Sequence, residues 1–278
     1  MLVRPPAVAG MFYNLNPDML KKQIKSCFNH KLGQKEIKEE KFVAAVVPHA
    51  GYPYSGPIAS WVYSKIQKCN YIILGPNHRV FGSKFGVMRD GIWKTPLGSI
   101  KIDDKISKKL IEANTLFEYD VISHESEHSI EVQLPFLQYR FEDDFEFIPI
   151  CVINDYPSFD FLDECKMIGK VVADTIKNEK NRWMILASSD FSHYIPYDSA
   201  YSTDNYIIDA ILKLNEKDFF ARLQEKEASV CGFGPIVIAM IAAKQLGAKK
   251  GELLKYATSG DVTGDKEAVV GYASIILK

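Results

Sequence analysis

Residues 42–78 read FVAAVVPHAGYPYSGPIASWVYSKIQKCNYIILGPNH, and this stretch decides the fold. The run 42–47 is short, continuously apolar and closed by Pro48-His49-Ala50-Gly51-Tyr52, the pattern of a buried strand. An amphipathic stretch follows at 57–66, then a second buried strand at 71–74 that ends in Gly75-Pro76-Asn77-His78. Strand, loop, helix and strand in that order form a βαβ unit, which favours parallel pairing through a right-handed crossover. The unit recurs downstream, with a strand at 145–152, a helix at 161–176 and a strand at 183–187 that runs into SSDFSH (188–193).

Outward from these units, 16–30 reads as an opening helix with Asn16 as N-cap and Pro17 at the first helical position. Residues 31–41 are a charged loop. The stretch 84–102 carries Gly86, Gly91, Pro96 and Gly98 among aromatic and β-branched residues, and reads as one or two hairpin-like strands. Helices are expected over 201–214, 217–224 and 234–246, and closing strands over 253–258 and 269–277. Residues 260–265 read as a polar turn-rich loop, with no Lys-Ser/Thr helix start to make it a phosphate cradle. No linker or internal repeat divides 1–278. The expected architecture is one α/β domain with a central mixed, largely parallel sheet flanked by helices.

A formal net charge of -1 leaves no global field to draw the chain to nucleic acid or anionic lipid. No run approaches the length needed to span a bilayer, and no signal peptide is read near Arg4. The five cysteines, Cys27, Cys69, Cys151, Cys165 and Cys231, are odd in number and irregularly spaced, so neither a disulfide framework nor a zinc finger is expected. A cytoplasmic, reducing compartment and a small-molecule or protein partner fit these numbers.

In an open α/β sheet, ligands bind beyond the carboxyl ends of the strands. Three of the six histidines, His49, His78 and His193, fall in loops that follow predicted strands. Imidazole is the commonest protein metal ligand, and neighbouring strands bring such side chains together. Cys231, in SVCGFGP (229–235), is the one cysteine outside an apolar pattern and lies just before a predicted helix, where the dipole favours the thiolate that binds metal. Two imidazoles and a thiolate leave positions open for substrate or water and suit iron, copper or zinc. Asp190 and His193, three residues apart, are expected to act as orienter and general base. Tyr52, Tyr54 and His128 are expected to line the pocket. His124-Glu125-Ser126-Glu127-His128 satisfies the zincin template literally, but the apolar periodicity starts only at Ile130 and Pro135 weakens a long helix. A metalloprotease is therefore disfavoured, and His128 is placed with Glu131 at a helix start facing the cleft.

Taken together, RPPAVAG (4–10) with Phe12-Tyr13, PHAGY (48–52), GPNH (75–78), EHSIE (127–131), SSDFSH (188–193) and Cys231-Gly232 with Pro235-Ile236 resemble the Memo family (mediator of ErbB2-driven cell motility) across nearly the whole chain. The Pro-Ala-Val-Ala-Gly opening is closer to its microbial branch. The resemblance implies a fold related to class III, non-haem iron(II) extradiol dioxygenases, and a metal cleft at His49, His78 and Cys231. A cysteine stands where those dioxygenases carry a carboxylate, which shifts the metal's charge and redox preference towards copper or a different iron chemistry. It also implies that His193 and His128 face the substrate, and that radical-SAM and AMMECR1-like proteins are partners in microbes.

The leading expectation is a metal-dependent redox enzyme using iron or copper, with zinc as a third possibility. The alternative is a peptide- or phosphopeptide-binding module that uses the same cleft without metal, with Arg79 beside it. A closed structural zinc site is disfavoured because no fourth ligand of equal quality is present.

Overall fold

The middle of the sheet is built from segments that are apolar on both faces. The computed structural model describes residues 2–154 and 156–278. Its elements begin with β1 (Val3–Arg4), α1 (Pro17–Asn29), β2 (Ala44–Val47), α2 (Tyr52–Lys65), β3 (Asn70–Pro76), β4 (Phe85–Val87), β5 (Ile92–Thr95), β6 (Gly98–Ile102), α3 (Asp104–Ala113) and β7 (Phe117–Tyr119). They continue with α4 (Ile122–Glu125), α5 (Leu134–Phe141), β8 (Glu146–Val152), α6 (Phe159–Ile176), β9 (Trp183–Ser188), β10 (His193–Ile195), α7 (Tyr197–Leu212), α8 (Glu216–Glu225), α9 (Phe233–Gln245), β11 (Gly251–Thr258), α10 (Ser259–Thr263) and β12 (Val269–Leu277).

The strands β8, β3, β9 and β2 lie side by side and parallel, with Pro76 opposite Val152, Leu74 opposite Ala187, and Val47 opposite Ser188. Parallel sheets need cover on both faces, and alternation along each strand supplies it. On β3, Ile72 and Leu74 join the core beneath α6 and α9, whereas Tyr71 and Ile73 join the core beneath α1, α2 and α5. Antiparallel pairs extend the sheet on both sides, β5 with β6 at one end and β12 with β2, β10 and β11 at the other. The mixed, largely parallel α/β sheet with helices on both faces is the architecture expected from the sequence. Among the described residues, no helix is long and apolar enough to cross a membrane.

Three local expectations are corrected. Helix α3 was not anticipated; its N-cap Asp103 accepts from the Ile106 amide, and Ile106 and Leu110 supply a narrow buried stripe on an otherwise charged segment. The supposed loop 260–265 begins as the short helix α10, because Thr258 and Asp261 close a reciprocal capping box. Helix α2 starts at Tyr52, before the predicted 57, and carries Pro57 inside it.

Candidate metal centre

The four central strands each place a polar residue two positions beyond their last residue. These are His49 after β2, His78 after β3, Asn154 after β8 and Asp190 after β9. Because the strand ends are in register, the four residues converge at the carboxyl edge of the sheet. Donor atoms of His49, His78 and Cys231 all lie within 4.8 Å of one another. The Cys231 Sγ is 3.2 Å from His49 Nε2.

Hydrogen bonds fix which ring nitrogens face this point. The Ser188 hydroxyl donates its one proton to the Ser129 carbonyl at 2.6 Å, so its oxygen accepts from Gln133 Nε2 at 2.8 Å and from His49 Nδ1 at 2.9 Å. His49 therefore carries its proton on Nδ1 and leaves the Nε2 lone pair beside the sulfur. On His78, Nδ1 donates to Glu127 Oε1 at 2.9 Å, again leaving Nε2 free. Burial, reinforced by the surrounding histidines, pushes His49 well below the usual imidazole range, so it stays neutral. A ring held neutral, in one tautomer, by a partner behind it is how metal-binding histidines are set.

Glu127 is the residue that organises the second half of the site. Its carboxylate accepts from the His78 amide at 2.7 Å, the His128 amide at 2.8 Å and the Ser129 amide at 2.8 Å, besides His78 Nδ1. The His128 Nδ1 lies 3.2 Å from the same oxygen. Although burial opposes it, hydrogen bonding and the adjoining rings hold this carboxyl at about 2. His78, Glu127 and His128 also cluster closely enough to resemble a second ligand group. Their carboxylate is already saturated by these donors, so the trio is support for the first group. His128 stacks on His78 with ring centroids 4.6 Å apart, and Phe12 packs on its other side at 4.5 Å. Phe12 is held by the N-terminal segment, which the buried Glu131 binds through Arg4 at 2.6 Å, Tyr13 at 2.5 Å and the Ala7 amide at 2.7 Å.

Cys231 reaches the centre from before α9. Asn154 bridges the end of β8 to this turn, donating to the Cys231 carbonyl and accepting from the Gly234 amide at 3.1 Å. Gly232 allows the approach, because a Cβ there would meet the Ser188 carbonyl oxygen and Ser189 Cβ, both at 2.5 Å. The Asp190 amide donates to the sulfur at 3.2 Å. The expected helix-dipole effect on this thiol is not what dominates. The helix starts two residues on, and burial, with the Asp190 carboxylate, pushes the thiol well up.

The expected Asp190–His193 pairing is also corrected. Asp190 accepts from the His49 amide at 2.9 Å, and its other oxygen is 3.9 Å from His49 Nε2, so it supports His49. Burial pushes its carboxyl up. His193 lies further along, on β10, where Nδ1 contacts the Ser229 carbonyl at 2.8 Å and its proton must sit there to make that bond. His193 does reach the cleft, which has a volume of about 500 Å³ and is lined by Phe12, Tyr54, His128, Asp190 and Tyr272 together with His49 and His78. Tyr52 does not line it; this side chain is buried and donates to the Val132 carbonyl. His124 is buried too, against Gly86 and Cys151, and is separated from His128 by the end of α4. The zincin-like string thus lies on no single helix.

Glu127, Ser188 and Asn154 carry structural support for the site that sequence reading did not assign. Asn154 had a usable signal, its place two residues past a strand end. Ser188 and Glu127 lie inside the motif strings, but the bonds by which they reach His49 and His78 run to partners distant in sequence.

The fold and site define an α/β protein that brings two histidines and a cysteine together at the carboxyl edge of a parallel sheet. The sequence profile of the family described as "Memo-like protein" matches residues 4–276. The chain is 46% identical over 279 residues to a MEMO1 family protein of Methanosarcina barkeri, covering 99% of this chain and 100% of that one. It is 42% identical over 288 residues to one of Sulfolobus acidocaldarius and 40% identical over 285 residues to one of Methanopyrus kandleri, each time over 99% of both chains. The chain belongs to the Memo family. Among solved structures, an uncharacterized protein of Escherichia coli K12, JW3007, aligns with a TM-score of 0.53 at 14% identity, covering 85% of this chain and all of that one. That likeness extends to the fold alone.

Proposed function

We propose that this protein is a metal-dependent redox enzyme whose single iron or copper ion is held by His49, His78 and Cys231. The observation that carries the reading is the convergence of these three donors within 4.8 Å, with the Nδ1 atoms of both histidines committed elsewhere. The donor set fits a borderline transition metal, and three protein ligands leave positions open for substrate. Iron or copper bound there supplies one-electron redox chemistry and Lewis acidity.

The chain's own residues do the rest. Ser188 and Glu127 hold the two imidazoles by their Nδ1 atoms and aim both Nε2 atoms at the same point. Asp190 fixes the His49 backbone through the amide bond described above. His193, with Nδ1 on Ser229, accepts a proton at Nε2, and His128 offers a second unprotonated Nε2 on the opposite wall. Phe12, Tyr54 and Tyr272 give the cleft apolar walls that seat an organic substrate and displace water.

Elemental analysis of anaerobically purified protein tests the reading. Wild type is expected to hold about one equivalent of iron or copper, lost in His49→Ala and in Cys231→Ala, as ligand removal requires. Wild type that takes up no metal on anaerobic reconstitution would overturn it and return the cleft to peptide binding.

A further inference from the structure

Behind the His193 wall of the cleft stands a column of three tyrosines that the proposed chemistry leaves unused. Tyr256 is buried, and its hydroxyl donates to Asp204 Oδ2 at 2.6 Å. The ring of Tyr201 lies edge-on to it, with centroids 4.8 Å apart. Tyr197 follows, 4.7 Å from Tyr201, and is half-buried at the surface end. All three phenols donate to carboxylates, because Tyr201 and Tyr197 share Asp261, at 2.9 and 2.8 Å.

The inner end abuts the cleft. Asp204 also accepts from the Ser192 amide at 3.1 Å and from its hydroxyl at 2.5 Å, and Ser192 directly precedes His193. Gly271 sits between the cleft-lining Val270 and Tyr272. A Cβ on it would fall 2.0 Å from Asp204 Oδ2 and 2.8 Å from the Tyr256 hydroxyl. One glycine therefore separates the column from the cleft wall.

Packing alone does not account for this arrangement. Phenylalanines would stack as well, without requiring a fully buried Asp204 whose desolvation is costly. A phenol gives up an electron readily only when its proton can leave at the same time, and a hydrogen-bonded carboxylate is a proton acceptor already in place. Lys266 points the same way. Its ammonium lies 4.1 Å over the Tyr197 ring, so a positive charge on that ring is opposed and only a neutral radical is tolerated.

We infer that Tyr256, Tyr201 and Tyr197 form a one-electron relay that drains oxidising equivalents from the cleft to the surface. The inference rests on the redox reading of the site. A one-electron oxidant derived from dioxygen in the cleft takes an electron from Tyr256, while the phenolic proton passes to Asp204. Tyr201 then gives an electron to the Tyr256 radical, which recovers its proton from Asp204, and the proton of Tyr201 goes to Asp261. Tyr197 refills Tyr201 in the same way, with Asp261 returning one proton and receiving the other. An external thiolate supplies the last electron to Tyr197, which recovers its proton from Asp261, and the thiolate becomes a thiyl radical. The column would protect Cys231 and His193 when the oxidant forms without substrate.

The relay can be tested without a bound metal. A maleimide-linked ruthenium photosensitiser is attached to a cysteine introduced by Tyr54→Cys, at an exposed residue of the cleft, in wild type and in both variants below. Flash oxidation of metal-free protein with persulfate, a nitroso spin trap and peptide mass spectrometry then show where radicals emerge. An adduct on Tyr197 is expected in wild type and lost in Tyr201→Phe and Tyr256→Phe, both of which keep the rings, while the adduct on exposed Tyr194 persists. An absent Tyr197 adduct in wild type, or one unchanged in both variants, overturns the relay. In a second arm, iron(II)-loaded protein is held in air without substrate. Oxidation of the peptides containing Cys231 and His193 should run faster in both variants than in wild type at equal iron content, and equal rates overturn the protective role. Failure to load iron would count against the metal reading, and the photochemical arm would still decide the relay.

Discussion

The two walls of the cleft are built on different terms. The inner wall, with His49, His78 and Asp190, grows from parallel strand ends, and each group is tied from behind to Ser188, Glu127 or a backbone amide. The outer wall is the three-residue strand β10, irregular in its pairing with β12, with Tyr194 at φ 58 and 77% exposed. A metal centre needs ligands fixed to fractions of an ångström, and core strands provide that. A wall that meets substrate can be held by fewer bonds, because variation in its fit leaves the three donors in place.

The contrast breaks most severely at Glu127. Alanine there would strand the His78 and His128 amides and free both rings. The substitution removes the acceptor of the His78, His128 and Ser129 amides, and a buried donor left unmatched costs about 1–3 kcal/mol. Loss of the groups behind a ligand typically costs about 10–100-fold in metal affinity. Urea unfolding and a competitive metal titration would measure the two effects. Full affinity in Glu127→Ala would mean that the inner wall is held by the strands alone.

Histidines of the interior should also announce themselves by pH. Burial, with Arg4 nearby, lowers His124 to about 4. Its folded value lies below its unfolded one, so protonation favours the unfolded chain. Stability is therefore fully present above about pH 6.5 and falls as the pH drops toward 4, by about 3 kcal/mol from this residue. In His124→Gln, which can still donate to Gly86, the slope of unfolding free energy between those pH values should fall by about one proton. An unchanged slope would show that His124 is not the group being protonated.

How much of this could be read from the chain depends on whether the information is local. The βαβ units were legible because runs such as 71–74 are short, apolar and closed by glycine and proline. His49 and His78 were legible as residues just past those runs. His193 follows a strand as those two do, but the equivalent position two past β9 belongs to Asp190, and His193 lies three residues further on. Ser188 was not legible at all. Its partners Ser129, Gln133 and His49 lie 59, 55 and 139 residues away, and no periodicity encodes such bonds. Helix α3 was missed for the opposite reason, since its buried stripe is too thin to stand out from its charges.

Ser188→Ala sharpens the comparison within the inner wall. It removes the acceptor of both His49 Nδ1 and Gln133 Nε2, and leaving buried donors unmatched costs about 1–3 kcal/mol. The His49 ring also loses the bond that selects its tautomer. Metal affinity should drop less than in Glu127→Ala, because Glu127 holds His78 by both its ring and its backbone amide, whereas Ser188 holds His49 by its ring alone. A titration showing the reverse order would make His49 the ligand on which the centre depends.

The smallest effect on stability and metal content belongs to His193→Ala, and it is the one that separates the walls. This side chain is half-buried; its ring contacts the Ser229 carbonyl and lies edge-on to the exposed Tyr194 ring. Surface-like substitutions of this kind change stability by no more than about 0.5 kcal/mol. The metal content should match wild type, since no donor of the centre hydrogen-bonds to this ring. Substrate turnover, once an oxygen-uptake screen has found a substrate, should fall by about 10²–10⁴-fold if Nε2 is the proton acceptor. Retained metal with lost turnover would divide the cleft into a wall that holds and a wall that reacts. Lost metal would mean that β10 belongs to the scaffold of the centre, and that the two walls are one.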